Sequence, residues 1–342
     1  MQAEDIFTQG VDLLKFERYN EAIERFDLAI SLKPGYIEAY TNKGNVLTDL
    51  GKGNEAVECY NKAISLGCSE ATVFNNKGTV LADLRKYNEA IECYDRAISL
   101  KPDYVSVYFN KGNALVGIGK RDEAIECYDK AISLSPDYYY FYLNKGNILS
   151  DIGKKNEALE CYDKAISLGC NEVIVFNNKG TVFAELGRYN EAIECYDKAT
   201  SSKSDYAEAY YNKGNSLAEL GKENEAIECY DKAISLDLEY TDAYYNKGLT
   251  FERLQKYEEA LKAFQAVMKL SPKHFLACLS VAETLGSLGG QKEALKYFKR
   301  ARFFLRDVKQ SFAEHEEGIE IIINDLEIEN TLWKKYPIEE EY

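Results

Sequence analysis

Two histidines and nine cysteines have the widest chemical repertoire in this chain, and their placement argues against its use. His274 and His315 stand outside any serine or cysteine pattern that would pair a nucleophile with its base, and two imidazoles do not make a multi-histidine metal site. No Cys-x-x-Cys pair occurs. Cys59, Cys93, Cys127, Cys161, Cys195 and Cys229 recur every 34 residues, so in stacked helices their equivalent atoms would lie about 10 Å apart. A disulfide needs Cα atoms within about 7 Å. The sequence therefore predicts reduced thiols that serve as small packing residues, no cofactor or metal, no catalysis, and a cytoplasmic location. Cys68 and Cys170, in turns after Gly67 and Gly169, receive no role.

Directional chemistry is left to the asparagines. Asn42, Asn76, Asn110, Asn144, Asn178, Asn212 and Asn246 form one register at the same spacing. Asn45, Asn113, Asn147 and Asn215 form a second, with Thr79 and Thr181 in two of its places. A primary amide carries both donor and acceptor, so a ladder of them can pair with the N–H and C=O groups of an extended peptide whatever its sequence.

The elements that would position these side chains follow from the hydrophobic period. In the unit from 37 to 70, Tyr40, Gly44, Leu47 and Leu50 recur at helical spacing, Gly51 interrupts, and Ala56, Tyr60, Ala63 and Leu66 resume it. That is helix, turn, helix. Gly51 suits the left-handed residue that closes the first helix, and Asn54 is expected to cap the second. Gly44 is costly in mid-helix by about 1 kcal/mol, so its recurrence calls for close helix approach, with Ala56 expected to face it and Tyr60 to fill the space beside them. Rotating by about 100° per residue from the buried stripe places Glu38, Asn42, Asn45 and Asp49 on the opposite face.

An aromatic, then Gly, Leu, a turn Gly, Ala, Tyr, Ala and a closing Pro at fixed offsets resembles the tetratricopeptide repeat. Tyr40, Gly44, Leu47, Ala56, Tyr60 and Ala63 hold its signature places, and Pro34, Pro102, Pro136 and Pro272 its proline. The resemblance covers nine units: 3–36, 37–70, 71–104, 105–138, 139–172, 173–206, 207–240, 241–274 and 275–308. It implies an all-α, right-handed solenoid superhelix of helical hairpins whose first helices line a concave groove. The asparagine register is similar to the ladder in the repeat region of the O-linked N-acetylglucosamine transferase, whose catalytic domain has no counterpart here. This implies a non-catalytic scaffold or adaptor that binds an extended protein segment through Asn42 to Asn246. A two-carboxylate clamp of the kind that grips chaperone tails would need cations where Thr41, Asn75, Phe109 and Leu143 stand, so a chaperone adaptor would lack a complete clamp.

Charge narrows the partner. The formal net charge of -15 repels phosphate backbones and anionic lipid, so neither nucleic acid nor membrane is expected. Asp49, Asp83, Asp151, Glu185 and Glu219 on the ladder face favour a basic or polar segment. Phe109, Tyr140, Tyr211 and Tyr245 border it as candidate side-chain pockets. Lys43, Lys77, Lys111, Lys145, Lys179, Lys213 and Lys247, each before the packing glycine, read as snorkelling stems with local carboxylate partners. Residues 309–332 carry the apolar stripe Phe312, Ile319, Ile322, Ile323 and Leu326, expected of a capping helix, and 333–342 an acidic frayed tail. Ile321, Ile328 and Leu332, off that stripe, leave room for self-assembly into homo-oligomers as an alternative function. Finally, residues 54–155 and 156–256 read alike, so a three-repeat block was duplicated, and identity between repeats can be inherited as well as used.

Overall fold

A computed structural model describes residues 2–312, and among them every regular element is an α-helix. The chain divides into two compact units, Met1–Asn171 and Glu172–Tyr342. In the first, α1 (Ala3–Leu14), α3 (Ile37–Asp49), α5 (Ala71–Asp83), α7 (Val105–Gly117) and α9 (Tyr139–Asp151) alternate with α2 (Tyr19–Leu32), α4 (Gly53–Ser65), α6 (Tyr87–Leu100), α8 (Arg121–Leu134) and α10 (Lys155–Ser167). In the second, α11 (Val173–Glu185), α13 (Ala207–Glu219), α15 (Thr241–Arg253) and α17 (Phe275–Ser287) alternate with α12 (Tyr189–Ser202), α14 (Glu223–Leu236), α16 (Tyr257–Leu270) and α18 (Gln291–Phe312). Each odd-numbered helix packs on the even-numbered one after it, which within its unit packs on the next odd one. Tandem hairpins of this kind are a helical solenoid.

Two backbone features explain why the hairpins repeat so closely. The first helix ends in a residue at positive φ: Gly51 has φ 72°, its N–H bonds Thr48 O at 2.9 Å, and Lys52 N–H bonds Leu47 O at 2.8 Å. This double bond satisfies carbonyls that the helix end would leave orphaned. Glu17, Arg85 and Gln255 occupy the same place in three hairpins with φ of 56°, 59° and 56°, a conformation that costs a residue bearing a Cβ.

The second feature is the packing glycine, whose partner differs from the sequence expectation. A Cβ on Gly44 would meet Tyr60 Cε1 at 2.8 Å, and one on Gly112 would meet Tyr128 Cε1 at 2.6 Å. The ring of the second helix lies directly over the glycine, with Ala56 buried nearby. Tyr60, Tyr94, Tyr128, Tyr162, Tyr196 and Tyr230 are among the largest fully buried side chains. Burying a large apolar side chain stabilises by about 1.5–3 kcal/mol, whereas an exposed ion pair contributes about 0–1. The rings therefore dominate each hairpin.

The expected asparagine caps are not formed. Asn54 lies one residue inside α4, whose cap position is Lys52, and no side chain there bonds the helix start; the same holds for α2, α6, α8, α10, α12 and α14. The tight turn carries the chain into the second helix earlier than the spacing of polar residues suggests. Eight of the nine free thiols are buried, and Cys68, at the sequence place of the closing proline, is in the core, whereas Pro34, Pro102, Pro136 and Pro272 are exposed. At the far end, α18 runs unbroken through residue 308 to Phe312, so residues 309–312 of the expected capping helix continue the last hairpin. The rest of that helix, with Ile319 to Leu332, and the acidic tail lie outside the described residues.

Candidate functional site

The first-register asparagines are half-buried, whereas Asn113 of the second register is exposed, and the first-register amides donate within the chain. In the first unit, Asn42 Nδ2 donates to Glu38 O at 2.8 Å and Asn144 Nδ2 to Tyr140 O at 2.8 Å, each one turn back on its own helix. Asn76 Nδ2 instead reaches the preceding hairpin, donating to Asn45 Oδ1 at 3.1 Å. Asn110 Nδ2 donates to Asn75 Oδ1 at 3.1 Å and to Thr79 Oγ1 at 3.4 Å. In the second unit, Asn212 Nδ2 donates to Asn177 Oδ1 at 3.1 Å, and Asn246 Nδ2 to Asn215 Oδ1 at 2.8 Å and Tyr211 Oη at 3.0 Å. Asn178 lies in the same register on α11. Among the described residues no donor is bonded to the side-chain oxygen of Asn42, Asn110, Asn144, Asn212 or Asn246.

The second register answers to the buried rings. Tyr60, Tyr128, Tyr162 and Tyr230 donate their hydroxyls to the Oδ1 of Asn45, Asn113, Asn147 and Asn215 at 2.8, 2.7, 2.9 and 2.9 Å. Tyr196 donates to Thr181 Oγ1 at 3.5 Å. A phenol buried without such a partner would be costly, which gives these amides a structural task that residue-by-residue reading missed. The signal was present in the chain itself. Where the ring is Phe26 or Phe264, the residue fifteen positions earlier is Val11 or Leu249, with no amide to receive a hydroxyl.

The carboxylates beside the ladder face solvent. Asp49, Asp83 and Asp151 on α3, α5 and α9 are exposed, as are Glu185 and Glu219 on α11 and α13. The next place in that row, on α15, holds Arg253, which lies 3.6 Å from Glu219 and donates to Ala218 O at 3.1 Å. Glu219, Arg253, Asn215, Asn246, Tyr230 and Thr250 line a cleft of about 220 Å³ in the second unit. Three of the bordering aromatics are occupied by packing: Phe109 lies 5.4 Å from Phe141, Tyr211 5.0 Å from Tyr240, and Tyr245 5.6 Å from Phe264. Tyr140 is stacked on Tyr139 at 4.3 Å.

The lysine row turns away from this face. Lys43, Lys111, Lys145, Lys213 and Lys247 pair with Asp27, Asp95, Asp129, Asp197 and Asp231 at 2.5–2.6 Å, in each case on the second helix of the preceding hairpin. His274 caps α17, accepting from Ala277 N–H through Nδ1 at 3.1 Å, and burial holds its pKa below the usual value. Burial likewise pushes the thiols of Cys161 and Cys229 up to about 11, away from the thiolate that a nucleophile or metal ligand requires. Among the described residues no group of three or more His, Cys, Asp or Glu is placed to hold a metal, and no helix is long and apolar enough to cross a membrane.

A solenoid of glycine-packed helical hairpins with a polar first-helix face defines a class of repeat protein built to present surface. Family models identify it: descriptions reading "TPR repeat" match residues 78–119, 180–221 and 214–255, and "Tetratricopeptide repeat" matches 37–66, 105–138, 127–160 and 241–274. The chain belongs to the tetratricopeptide repeat family. Repeats of this family mediate protein–protein interaction. Among solved structures, the C-terminal part of a TPR repeat-containing protein from Cytophaga hutchinsonii is similar, with a TM-score of 0.62 at 18% identity over 70% of this chain and 99% of that one. A tetratricopeptide repeat protein from Parabacteroides merdae gives 0.54 at 17% identity, over 73% and 98%. YrrB, described as a TPR protein with an unusual peptide-binding site, gives 0.48 at 27% identity, over 55% and 96%. No curated protein sequence matches the chain.

Proposed function

We propose that this protein is a non-catalytic scaffold that holds an extended segment of a partner protein against the first-helix faces of its hairpins. The carrying observation is a row of side-chain oxygens, on Asn42, Asn110 and Asn144 in the first unit and on Asn212 and Asn246 in the second, to which no donor is bonded among the described residues, while each of these amides commits at least one of its two N–H groups inside the chain. Such a ladder presents acceptors more than donors, with exposed carboxylates beside it. Backbone N–H groups and cationic side chains are the complement of such a face, which favours a basic or polar segment. Salt would weaken the carboxylate contribution.

The test is fluorescence anisotropy of a labelled, end-capped peptide of repeating Lys-Ser-Gly, titrated with the full chain. Asn110→Leu with Asn144→Leu removes two acceptors while keeping the heavy-atom branching and is expected to weaken binding about tenfold, on the order of two hydrogen bonds. Unchanged affinity in a variant whose circular dichroism and melting match wild type would sink the ladder. No binding by wild type would sink the groove altogether.

A further inference from the structure

We infer that the tyrosine cluster at the start of α9 is a seat for a lysine side chain of the bound segment, an inference that rests on the groove reading above. Tyrosines precede the first helix in five hairpins, at Tyr36, Tyr104, Tyr138, Tyr206 and Tyr240. Two of them are covered from within the chain, with Lys33 Nζ 4.5 Å from the Tyr36 ring centre and Lys101 Nζ 5.1 Å from that of Tyr104. An ammonium over an aromatic face is attracted by the ring quadrupole. At Tyr206 the equivalent Lys203 lies 3.9 Å from Asp205 while the phenol donates to Glu208, and Tyr240 packs on Tyr211.

Tyr138 is the exposed member. The residue three places before it is Ser135, so this hairpin has no lysine to lay over the ring. Its neighbour Phe141 explains the rest. Where α3 has Ala39 and α7 has Val107, α9 has a phenylalanine that is itself buried, and its ring meets Tyr138 edge-on at 4.9 Å. The core slot that Tyr36 fills at 8% exposure is thereby taken, and Tyr138 is left 47% exposed. Tyr140, 5.4 Å away, stands one turn before Asn144 and receives its amide N–H on the backbone, which ties the cluster to the ladder face. Asp137 adds a carboxylate beside it, and no cation lies over the Tyr138 ring among the described residues. The occupant that two sister hairpins supply for themselves is a lysine ammonium, and the acidic chain favours the same charge from a partner.

The experiment titrates the same Lys-Ser-Gly peptide against four full-length variants. Tyr138→Ala should weaken binding about fivefold, and Tyr138→Phe, which keeps the ring, should bind as wild type. Ser135→Lys restores the internal lysine and should also weaken binding about fivefold. Ser133→Lys adds the same charge two residues away, in the last turn of α8, at a place with no counterpart over a ring, and should change affinity less. Ser135→Lys and Tyr138→Phe keep the question answerable should Tyr138→Ala unfold. Wild-type affinity in both Tyr138→Ala and Ser135→Lys, or equal losses in Ser135→Lys and Ser133→Lys, overturns the seat and leaves the groove standing. A wild type that does not bind the peptide overturns both.

Discussion

At the scale of single residues, two backbone places carry opposite predictions. Ala in place of Gly112 would set a Cβ 2.6 Å from a buried ring with nowhere to retreat. Overpacking costs about 1–3 kcal/mol, more than the roughly 1 kcal/mol that alanine gains in helix propensity, so Gly112→Ala should lower the urea midpoint. Arg85 holds φ 59° at an exposed turn, so Arg85→Gly should raise that midpoint by about 1 kcal/mol of stability. If denaturant unfolding moved both variants in the same direction, the ring and turn assignments could not both stand. The turn was legible in the sequence because glycine fills it in most hairpins. The ring's position over the glycine was not, because the period shows which residues are small without showing which large one crosses them.

At the scale of the element, the second helix combines a phenol and a thiol in adjacent positions, both held protonated by burial. Tyr94 and Tyr196 are pushed from an ordinary 10 up to about 12, and Cys161 and Cys229 from 9 up to about 11. Each folded-state pKa lies above the unfolded one, so the stabilisation is complete below pH 9 and is lost as pH rises through 9 to 11 for the thiols and 10 to 12 for the phenols. The loss per group is about 1.4 kcal/mol per pH unit within its window. Thermal melts should therefore be level across neutral pH and fall steeply above pH 9; a flat profile to pH 11 would contradict the burial of these helices. Helix type and the buried stripe were readable from apolar spacing. The caps were misplaced because Asn54 and its equivalents are polar residues near a turn, and composition does not say on which side of the boundary they fall. The ladder's geometry was hidden for a different reason: several of its partners lie one hairpin away, as that of Asn76 does at Asn45.

At the scale of the whole chain, Met1–Asn171 and Glu172–Tyr342 each contain their own buried rings, Tyr60, Tyr94, Tyr128 and Tyr162 in one, Tyr196, Tyr230 and Phe264 in the other. Repeat arrays draw stability from within each repeat and from its nearest neighbours. Residues 1–171 expressed alone are accordingly expected to keep a cooperative helical melt, followed by circular dichroism; a random-coil spectrum would show that the core of this unit is insufficient. One consequence lies in the rings themselves. Six hairpins each shield one phenol beneath which only glycine fits, and tyrosinate absorbs ultraviolet light where tyrosine does not. A brief jump to alkaline pH would ionise exposed tyrosines such as Tyr138 at once and these six only as their hairpins come apart, so the delayed rise in absorbance gives a census of open repeats, with no label attached.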